Sequence, residues 1–348
     1  MRAPSFWWRE AGLTAAMLAP VAAAYGAVAA RRMRHGGRDV GIPVVCLGNL
    51  TLGGAGKTPA ALAVGRMLLA SGERPFFLTR GYGGRLAGPL QVDAARHDAG
   101  AVGDEPLLLA RVAPTVVARD RVAGAEAARA GGAGVVVMDD GFHNPSLVKH
   151  LSILAVDGRR AIGNARVFPA GPLRAPLEVQ FDRAHALLVI GDASGARALT
   201  AEAQARGLSV FHGRLEPDAA ALAALAGRQV LAFAGIGDPE KFFATLDAAG
   251  IAAPVRRGFG DHHRYGAAEA AALVGEAERR VLVLLTTEKD AARLAGDEAA
   301  GALAARARAL PVTLVLDDAE RFRTFVLDRL RRESSRSRIT PPLRESGA

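Results

Sequence analysis

The sequence predicts an α/β fold in which helices flank a mostly parallel sheet. Three observations lead to this prediction: an apolar run that ends in a glycine-rich Lys-Thr segment, further short apolar runs separated by helical segments, and a second such series after residue 207. Continuous apolar runs are typical of strands buried on both faces, as in a parallel sheet covered by helices. We therefore expect an N-terminal membrane-associated helix in residues 1–35, a core in residues 36–207 and a second, smaller α/β domain in residues 208–317.

The composition limits the classes of protein to consider. Of 348 residues, 50% are hydrophobic and only 5% aromatic, and the single cysteine, Cys46, lies in an apolar run where we expect a small core residue. One cysteine cannot form an intrachain disulfide, which agrees with a reducing compartment. The formal net charge is +9, from 44 Lys and Arg against 35 Asp and Glu. A positive net charge could favour binding of nucleic acid, anionic lipid or an acidic substrate, and the composition alone does not distinguish these partners.

The N-terminal segment has no charged residue between positions 11 and 30. Trp7 and Trp8 precede this run, and the basic cluster of residues 31–34 follows it. Tryptophans beside about twenty uncharged residues are typical of a membrane helix with an interfacial belt, and the basic cluster would meet anionic lipid in the cytoplasm. A signal peptide and an Ala-rich helix buried against the protein are the alternatives. We predict a membrane helix, and the sequence leaves open whether it spans the bilayer or lies in it.

A phosphate-binding loop is predicted at residues 48–59, between the apolar run 42–47 and the apolar-periodic segment 60–70. The backbone N–H groups of such a turn surround phosphate oxygens, and the following helix points its positive end at them. The core is therefore expected to be P-loop NTPase-like and to bind a nucleoside triphosphate. The residues assigned to nucleotide binding are Thr51, Leu52, Gly53, Gly54, Ala55, Gly56, Lys57 and Thr58.

Within this loop, Lys57 would reach the outer phosphates and the Thr58 hydroxyl would hold Mg²⁺. Thr51 stands where the pattern G-x-x-x-x-G-K-[ST] has its first glycine. The alternative is an ordinary strand-to-helix turn with a chance Gly-Lys-Thr. The flanking strand and helix favour the phosphate loop.

Two adjacent carboxylates, Asp139 and Asp140, follow the buried apolar run 135–138. In nucleotide-binding α/β folds, an acid at such a strand end faces the phosphate loop and helps to hold Mg²⁺. Turn or capping aspartates are the alternative. With the loop upstream, we assign both aspartates, together with Thr58, to the metal.

Other polar clusters admit structural and functional interpretations. Asp104 and Glu105 precede a predicted helix, where capping is the ordinary explanation. Residues 259–265 place His262 and His263 beside an aspartate, which suits a carboxylate-oriented imidazole in proton transfer.

Two arginines, Arg80 and Arg174, lie in glycine- and proline-marked loops. Each arginine could bind a phosphate group or simply form an ion pair at the protein surface.

Farther along the chain, apolar runs at 208–211, 229–234, 280–285 and 312–316 define the predicted smaller domain. We expect a closing helix over 318–330 and a disordered tail over 331–348, which is rich in Arg, Ser and Pro.

Taken in order, these motifs resemble the tetraacyldisaccharide 4′-kinase family of lipid A biosynthesis. The loop alone is generic, but the ordered combination is specific. The resemblance covers about residues 5–325, and its matching segments are 6–8, 48–59, 79–84, 103–106, 139–142, 168–174, 235–237, 261–262 and 287–290.

What this resemblance implies is a membrane-associated kinase on the cytoplasmic face of the inner membrane. Such an enzyme uses ATP and Mg²⁺ to phosphorylate the 4′-hydroxyl of a tetraacylated glucosamine disaccharide 1-phosphate, giving lipid IV-A. Asp104 matches the catalytic acid of the family and His262 its partner, a dyad that deprotonates the sugar hydroxyl. The phosphate- and Mg²⁺-handling positions match Lys57, Thr58, Asp139 and Asp140. The positions associated with substrate or transition-state contacts match Arg80, Tyr82, Glu105 and Arg174.

The chain departs from the family pattern at two positions. His143 stands where the family usually has glutamine, and Ala175 where it usually has glutamate. Glu178 lies close to the second position in the sequence, but the sequence does not show that it substitutes. The role of residues 287–290 is also open.

Proteins of other classes share some of these features. Membrane-associated regulatory ATPases carry an extra lysine in their loop, where this chain has Leu52. A nucleic-acid-binding protein is disfavoured by the low aromatic content and by the lack of a recognition motif. A soluble P-loop kinase of small molecules is the alternative if the N-terminal run is core. The expected partners are thus the lipid A disaccharide precursor and the inner-membrane lipid surface, with no nucleic acid and no obligate protein partner.

Overall fold

A computed structural model describes residues 3–339 of the chain. The strands in this part are β1 (Val44–Asn49), β2 (Pro75–Thr79), β3 (Leu90–Gln91), β4 (Thr115–Val117), β5 (Val135–Asp139), β6 (Leu151–Asp157), β7 (Ala186–Ile190), β8 (Ser209–Pro217), β9 (Val230–Ala234), β10 (Val255–Gly258), β11 (Val283–Thr287), β12 (Arg308–Leu310) and β13 (Val312–Leu316).

The α-helices are α1 (Leu13–Arg34), α2 (Lys57–Ala70), α3 (Ala99–Val102), α4 (Asp104–Leu109), α5 (Arg121–Ala130), α6 (Leu177–Phe181), α7 (Arg197–Ala205), α8 (Ala219–Ala223), α9 (Pro239–Ala248), α10 (Ala267–Arg279), α11 (Glu288–Leu294), α12 (Gly301–Arg306) and α13 (Ala319–Ile339). Short 3-10 segments cover Ser5–Trp8, Ala193–Ala196 and Glu298–Ala300.

A large sheet of nine of these strands has the order β13-β8-β7-β6-β1-β5-β2-β4-β3. Its pairs are parallel except at the two edges, where β13 runs antiparallel to β8 and β3 antiparallel to β4. The central strands β1, β5 and β6 are buried along their whole length, because both of their faces are covered. The predicted α/β class with a mostly parallel sheet is confirmed.

A smaller parallel sheet has the order β10-β9-β11-β12. The prediction that residues 208–211 and 312–316 belong to this smaller unit is wrong. Strand β8 pairs with β7, and β13 pairs with β8, so both lie in the large sheet. These two strands join the large sheet because their apolar side chains are buried in its core. Phe211 and Leu314 lie in the same hydrophobic cluster as Val45 of β1. The smaller unit is therefore inserted in the chain between β8 and the edge strand β13, which pair with each other.

Helix α1 has two different faces. Its buried residues are Ala15, Ala22, Gly26, Ala30 and Met33, and its exposed large apolar residues are Leu13, Met17, Val21, Tyr25 and Val28. At about 100° per residue, the two sets lie on opposite sides of the helix. A Cβ on Gly26 would lie 3.6 Å from Val167 and Pro176, so small residues let this helix pack closely on the protein. By length and composition alone, α1 could also cross a membrane.

The two tryptophans before α1 contact the protein. Trp7 is buried, and its indole Nε1 donates a hydrogen bond to the carbonyl oxygen of Pro169 at 3.0 Å. The guanidinium of Arg160 lies 5.1 Å from the ring centre of Trp8. The interpretation of Trp7 as part of an exposed interfacial belt is therefore wrong.

Helix α13 extends farther than the sequence predicts. Phe322, Val326 and Leu330 bury one face of it against the large sheet, as the predicted closing helix requires. The helix does not end at residue 330, however, because the arginines and most other residues that follow are compatible with helix. The predicted disordered tail is thus wrong up to Ile339, and its remaining part, residues 340–348, lies outside the described residues.

Candidate active site

The predicted phosphate loop is a turn between β1 and α2. The side-chain amide of Asn49 donates hydrogen bonds to the carbonyl oxygens of Thr51 at 2.5 Å and Gly53 at 3.1 Å. Gly56 has a φ of 84°, in the left-handed region that favours glycine, immediately before α2 begins at Lys57. The positive amino end of α2 therefore points into a loop that is already curved, as a phosphate site requires.

Thr51 occupies the position where a first glycine is usual, and the structure explains why a side chain is tolerated there. Thr51 forms an antiparallel bridge with Leu173, and the N–H of Leu52 donates to the carbonyl oxygen of Pro172 at 2.8 Å. The Nε of Arg174 donates to the carbonyl oxygen of Thr51 at 3.1 Å. Thr51 is thus part of an extended pairing that brings Arg174 to the loop.

Asp139 is a buried acid beside this loop. It ends β5 in register with Leu47 of β1 and is 1% exposed. Neither of its carboxylate oxygens has a hydrogen-bond partner among the described residues. Burial, together with the nearby charge of Glu105, raises the pKa of Asp139 to about 7. A buried carboxylate without donors is costly unless a cation binds it, and carboxylate oxygen suits Mg²⁺, so this residue fits the predicted metal.

Asp140 brings two cations together. Its φ is 57°, and its Oδ2 and Oδ1 atoms lie 3.6 Å from Nζ of Lys57 and 3.5 Å from Nη1 of Arg174, respectively. Burial opposes the ionised form of Asp140, but the charges of Lys57 and Arg174 outweigh it and lower the pKa. The positions predicted to handle phosphate therefore lie together at the carboxyl end of the sheet.

Asp104 and His262 are brought together from the two units. The Oδ2 of Asp104 lies 3.3 Å from Nδ1 of His262, and its Oδ1 accepts a hydrogen bond from the N–H of Glu105 at 2.9 Å. Gly103 is the N-cap of α4 and Asp104 is its first residue, so the side chain of Asp104 is not the N-cap, and its contact with the N–H of Glu105 uses only one carboxylate oxygen. His263 is turned away and contacts Glu269 at 2.6 Å, so only one of the paired histidines joins the site.

The electrostatic environment favours an ionised Asp104. Burial opposes the ionised carboxylate and is the largest single effect on it. The interaction with His262 and the charges of Lys289 and Arg293 together outweigh burial and lower the pKa of Asp104. Burial also opposes the charged form of His262, yet the hydrogen bond to Asp104 raises the pKa of the imidazole. The pair is therefore an anionic carboxylate beside an imidazole that protonates readily.

Glu105 links this pair to the phosphate loop. Its Oε1 accepts hydrogen bonds from Nζ of Lys289 at 2.6 Å and from Oγ1 of Thr58 at 3.4 Å. A Cβ built on Gly237 would lie 3.1 Å from the N atom of Gly54, so a loop of the smaller unit reaches the phosphate loop as well. The Asp104–His262 pair, the phosphate loop and the smaller unit thus lie together, and we refer to the region between them as the cleft.

The two remaining predicted substrate residues are exposed. The ring centre of Tyr82 lies 4.7 Å from that of His262, and its side chain is solvent-accessible at the edge of the cleft. Arg80 directly follows β2 and has no ion-pair partner among the described residues. Both are free to meet a ligand.

The two departures from the family pattern are connected by one side chain, that of Gln180. Nε2 of His143 lies 2.8 Å from Oε1 of Gln180, and Nε2 of Gln180 donates to the carbonyl oxygen of Ala175 at 2.7 Å. Ala175 is fully buried, so a glutamate at this position would place a carboxylate in the protein interior, which is costly unless it is paired. Glu178 is exposed on α6 and does not take over that role.

Sequence reasoning missed Arg293 and left the segment 287–290 without a role. Nε of Arg293 donates to Oδ2 of Asp104 at 2.7 Å, and Nη1 donates to Oδ1 of Asp290 at 2.8 Å. Thr287 is the N-cap of α11 and also bonds Asp290 at 2.6 Å. The segment therefore begins the helix that carries Lys289 and Arg293 into the site. The available signal was the spacing of these two cations, four positions apart directly after the apolar run 280–285.

Comparison with known proteins agrees with this geometry. The family model for tetraacyldisaccharide-1-P 4'-kinase (LpxK) matches residues 14–331. A tetraacyldisaccharide 4'-kinase from Methylobacterium sp. (strain 4-46) is 58% identical over 334 residues, 95% of this chain and 98% of the relative. One from Rhodopseudomonas palustris (strain BisB5) is 52% identical over 330 residues, with 95% and 97% covered.

A solved structure is also similar. The crystal structure of LpxK from Aquifex aeolicus in complex with ATP has a TM-score of 0.70 and 25% sequence identity, and the match covers 91% of this chain and all of that one. Together with the match over residues 14–331 and the conjunction of phosphate loop, buried acids and Asp104–His262 pair, these similarities show that the chain belongs to the tetraacyldisaccharide-1-P 4'-kinase family.

Proposed function

We propose that this chain transfers the γ-phosphoryl group of ATP to the 4′-hydroxyl of a tetraacylated glucosamine disaccharide 1-phosphate, giving lipid IV-A. The observation that carries the proposal is the meeting, in a member of this family, of the phosphate loop, Asp139 and the Asp104–His262 pair around one cleft. Phosphoryl transfer needs positioning, charge neutralisation and a base at the acceptor oxygen. Each need has a candidate residue here.

The nucleotide is proposed to bind at the loop of residues 51–58. The loop N–H groups and the amino end of α2 would hold its phosphates, with Lys57 and Arg174 as the cations on either side of Asp140. The similar LpxK structure was solved with ATP, which supports ATP as the co-substrate.

Thr58 and Asp139 are proposed to hold Mg²⁺, with Asp140 beside them. When bound, Mg²⁺ would neutralise charge on the phosphoryl groups. The orphaned carboxylate of Asp139 supports this assignment. Asp140 already pairs with Lys57 and Arg174, so Asp139 is the stronger candidate for a direct ligand.

Asp104 is proposed to take the proton of the 4′-hydroxyl. Three features support this role: the carboxylate is ionised, it is buried, and it contacts His262. The imidazole would hold the carboxylate in place while it accepts the proton. The exposed Tyr82, which lies beside His262, and the exposed Arg80 are proposed to contact the acceptor, and Glu105 to hold the Asp104 segment against α2.

The lipid surface is proposed to meet the exposed face of α1. An acceptor with four fatty chains stays in the bilayer, so the enzyme must work at its surface. The apolar stripe of Leu13, Met17, Val21, Tyr25 and Val28 faces away from the protein. Arg31, Arg32 and Arg34 in the last turn would meet anionic lipid. Because its other face packs on the protein, we infer that α1 lies in the inner membrane's cytoplasmic surface.

The test is direct phosphorylation. Purified protein would be incubated with ATP, Mg²⁺ and the lipid A disaccharide 1-phosphate, and the product analysed by mass spectrometry for a phosphate at the 4′ position. The control is an acceptor already phosphorylated at that position, which should not react. ADP formation without any acceptor product would instead indicate a regulatory ATPase, and phosphorylation of soluble sugars alone would indicate a small-molecule kinase.

A further inference from the structure

Helix α11 of the smaller unit presents two cations to the start of α4. Lys289 and Arg293 are four positions apart and so lie on one face of the helix. Nζ of Lys289 lies 2.6 Å from Oε1 of Glu105, and Nε of Arg293 lies 2.7 Å from Oδ2 of Asp104. One turn of helix therefore binds two adjacent acids of the other unit.

Arg293 is itself held in place. Its Nη1 donates to Oδ1 of Asp290 at 2.8 Å and to the carbonyl oxygen of His263 at 3.3 Å. Asp290 is fully buried, and its other donors are the N–H of Gly235, the hydroxyl of Tyr265 and the hydroxyl of Thr287. A carboxylate with four donors has little freedom to rotate, so the guanidinium bound to it is fixed as well.

Arg293 contacts the carboxylate of Asp104 more closely than His262 does. Both groups approach the same Oδ2 atom, but the Arg293 distance is 2.7 Å and the His262 distance 3.3 Å. The Arg293 side chain is 7% exposed, against 22% for His262. A guanidinium is charged at every working pH, whereas an imidazole is not. Arg293 is therefore a permanent counter-charge in direct contact with the buried carboxylate.

We propose that Arg293 is a positioning residue for Asp104. It holds the carboxylate in the orientation in which Oδ2 faces His262, and it makes the action of the base depend on the docking of α11 against α4. This inference rests on the proposed kinase function, in which Asp104 receives the acceptor proton.

The test compares Arg293→Gln and Arg293→Lys with Arg257→Ala as a matched control. Arg257 is an exposed arginine of the same unit that pairs with Glu276. We expect Arg293→Gln to lower kcat by about 10–100-fold, the scale of a misplaced catalytic group, with little change in the KM for ATP. Arg293→Lys keeps the charge but not both contacts, and it should recover part of kcat. The control should match the wild type.

A double-variant experiment separates positioning from a general effect on the fold. In an Asp104→Asn background, Arg293→Gln should lower kcat little further, because the group that it positions is already disabled. An equal fold-loss in both backgrounds, an unchanged kcat, or a loss of ATP affinity that matches the loss of kcat would overturn the inference. If Arg293→Gln does not fold, Arg293→Lys carries the same comparison. An inactive wild-type protein would overturn the proposed function, whereas an active one with an unaffected Arg293→Gln overturns only this inference.

Discussion

The Oδ2 atom of Asp104 lies 3.3 Å from Nδ1 of His262, although α4 of the large unit carries the aspartate and a loop of the smaller unit carries the histidine. The pair therefore exists only while the two units are in contact. The ring of Tyr82 packs 4.7 Å from the imidazole on the solvent side, which leaves the pair at the edge of the cleft. The proposed base is therefore assembled only where the two units meet.

The contributions of Asp104 and His262 to turnover should be coupled. We expect Asp104→Ala to lower kcat by about 10²–10⁴-fold, the range for a positioned base, with a small effect on the KM for ATP. His262→Ala should lower kcat less, and the double variant should be little worse than Asp104→Ala. If Asp104 only capped α4, its loss would cost about 1 kcal/mol of stability and leave kcat nearly unchanged. Strictly additive losses would contradict the dyad.

Lys57→Ala and Asp139→Ala should each abolish most turnover while the fold is retained. Lys57 is the proposed cation for the transferred phosphoryl group, and Asp139 is the proposed metal ligand. Each loss should therefore cost several kcal/mol of transition-state stabilisation, on the order of 10²–10³-fold in rate. Activity assays and circular dichroism on each variant would check this. Near-wild-type turnover in either would rule out the site.

In the absence of Mg²⁺, Asp139→Asn should make the protein more stable. Burial and Glu105 raise the pKa of Asp139 from 3.8 to about 7, so the folded state binds more protons than the unfolded state between these values. The stability of the wild type therefore falls as the pH rises toward 7, and the asparagine variant lacks this loss. We expect a gain of about 1–3 kcal/mol at pH 8 that disappears near pH 4. Urea unfolding at both pH values measures it, and a destabilised variant at pH 8 would contradict the orphaned-carboxylate interpretation.

The exposed stripe of α1 should determine membrane binding without affecting the fold. Replacing Met17, Val21 and Val28 by glutamate removes apolar surface and adds repulsion from anionic lipid, so the protein should move from the membrane pellet to the soluble fraction. Turnover on bilayer-embedded acceptor should fall, while thermal stability stays within about 1 kcal/mol of the wild type.

The matched control for this variant carries three glutamates at exposed positions of α10, namely 268, 271 and 272, and has the same net charge. It should fractionate like the wild type. Unchanged fractionation of the α1 variant in salt-washed membranes would show that anchoring lies elsewhere.

His143 should make the protein less stable in acid. Burial, aided by the charge of Arg174, lowers the pKa of His143 from 6.5 to about 4. The contribution of neutral His143 to the free energy of unfolding is complete above pH 6.5 and is lost as the pH falls toward 4. In this range the histidine of the unfolded state binds a proton that the buried histidine does not. His143→Gln, which can still bond Gln180, should reduce the loss of stability between pH 7 and 5 by about 1–2 kcal/mol. The control is His35→Gln at an exposed position, and an unchanged pH profile in His143→Gln would refute the assignment.

The sequence by itself determined the features that arise from neighbouring residues. The phosphate loop follows from glycines and a Lys-Thr pair between an apolar strand and a helix, and Asp139 follows from its place at the end of a buried run. The α/β class follows from the repeated apolar runs, since strands buried on both faces need them. The family resemblance added the pairing of Asp104 with His262, which spacing alone could not supply.

Only the tertiary structure decided how distant segments combine. It placed β8 and β13 in the large sheet, divided α1 into a packed and an exposed face, and brought Arg293 to Asp104. Each of these outcomes depends on which surfaces of segments far apart in the sequence come into contact. The sequence pattern of a segment indicates how much apolar surface it must bury, but not which other segment covers that surface. The reason is that the hydrophobic effect is not directional, so many different segments could bury the same surface.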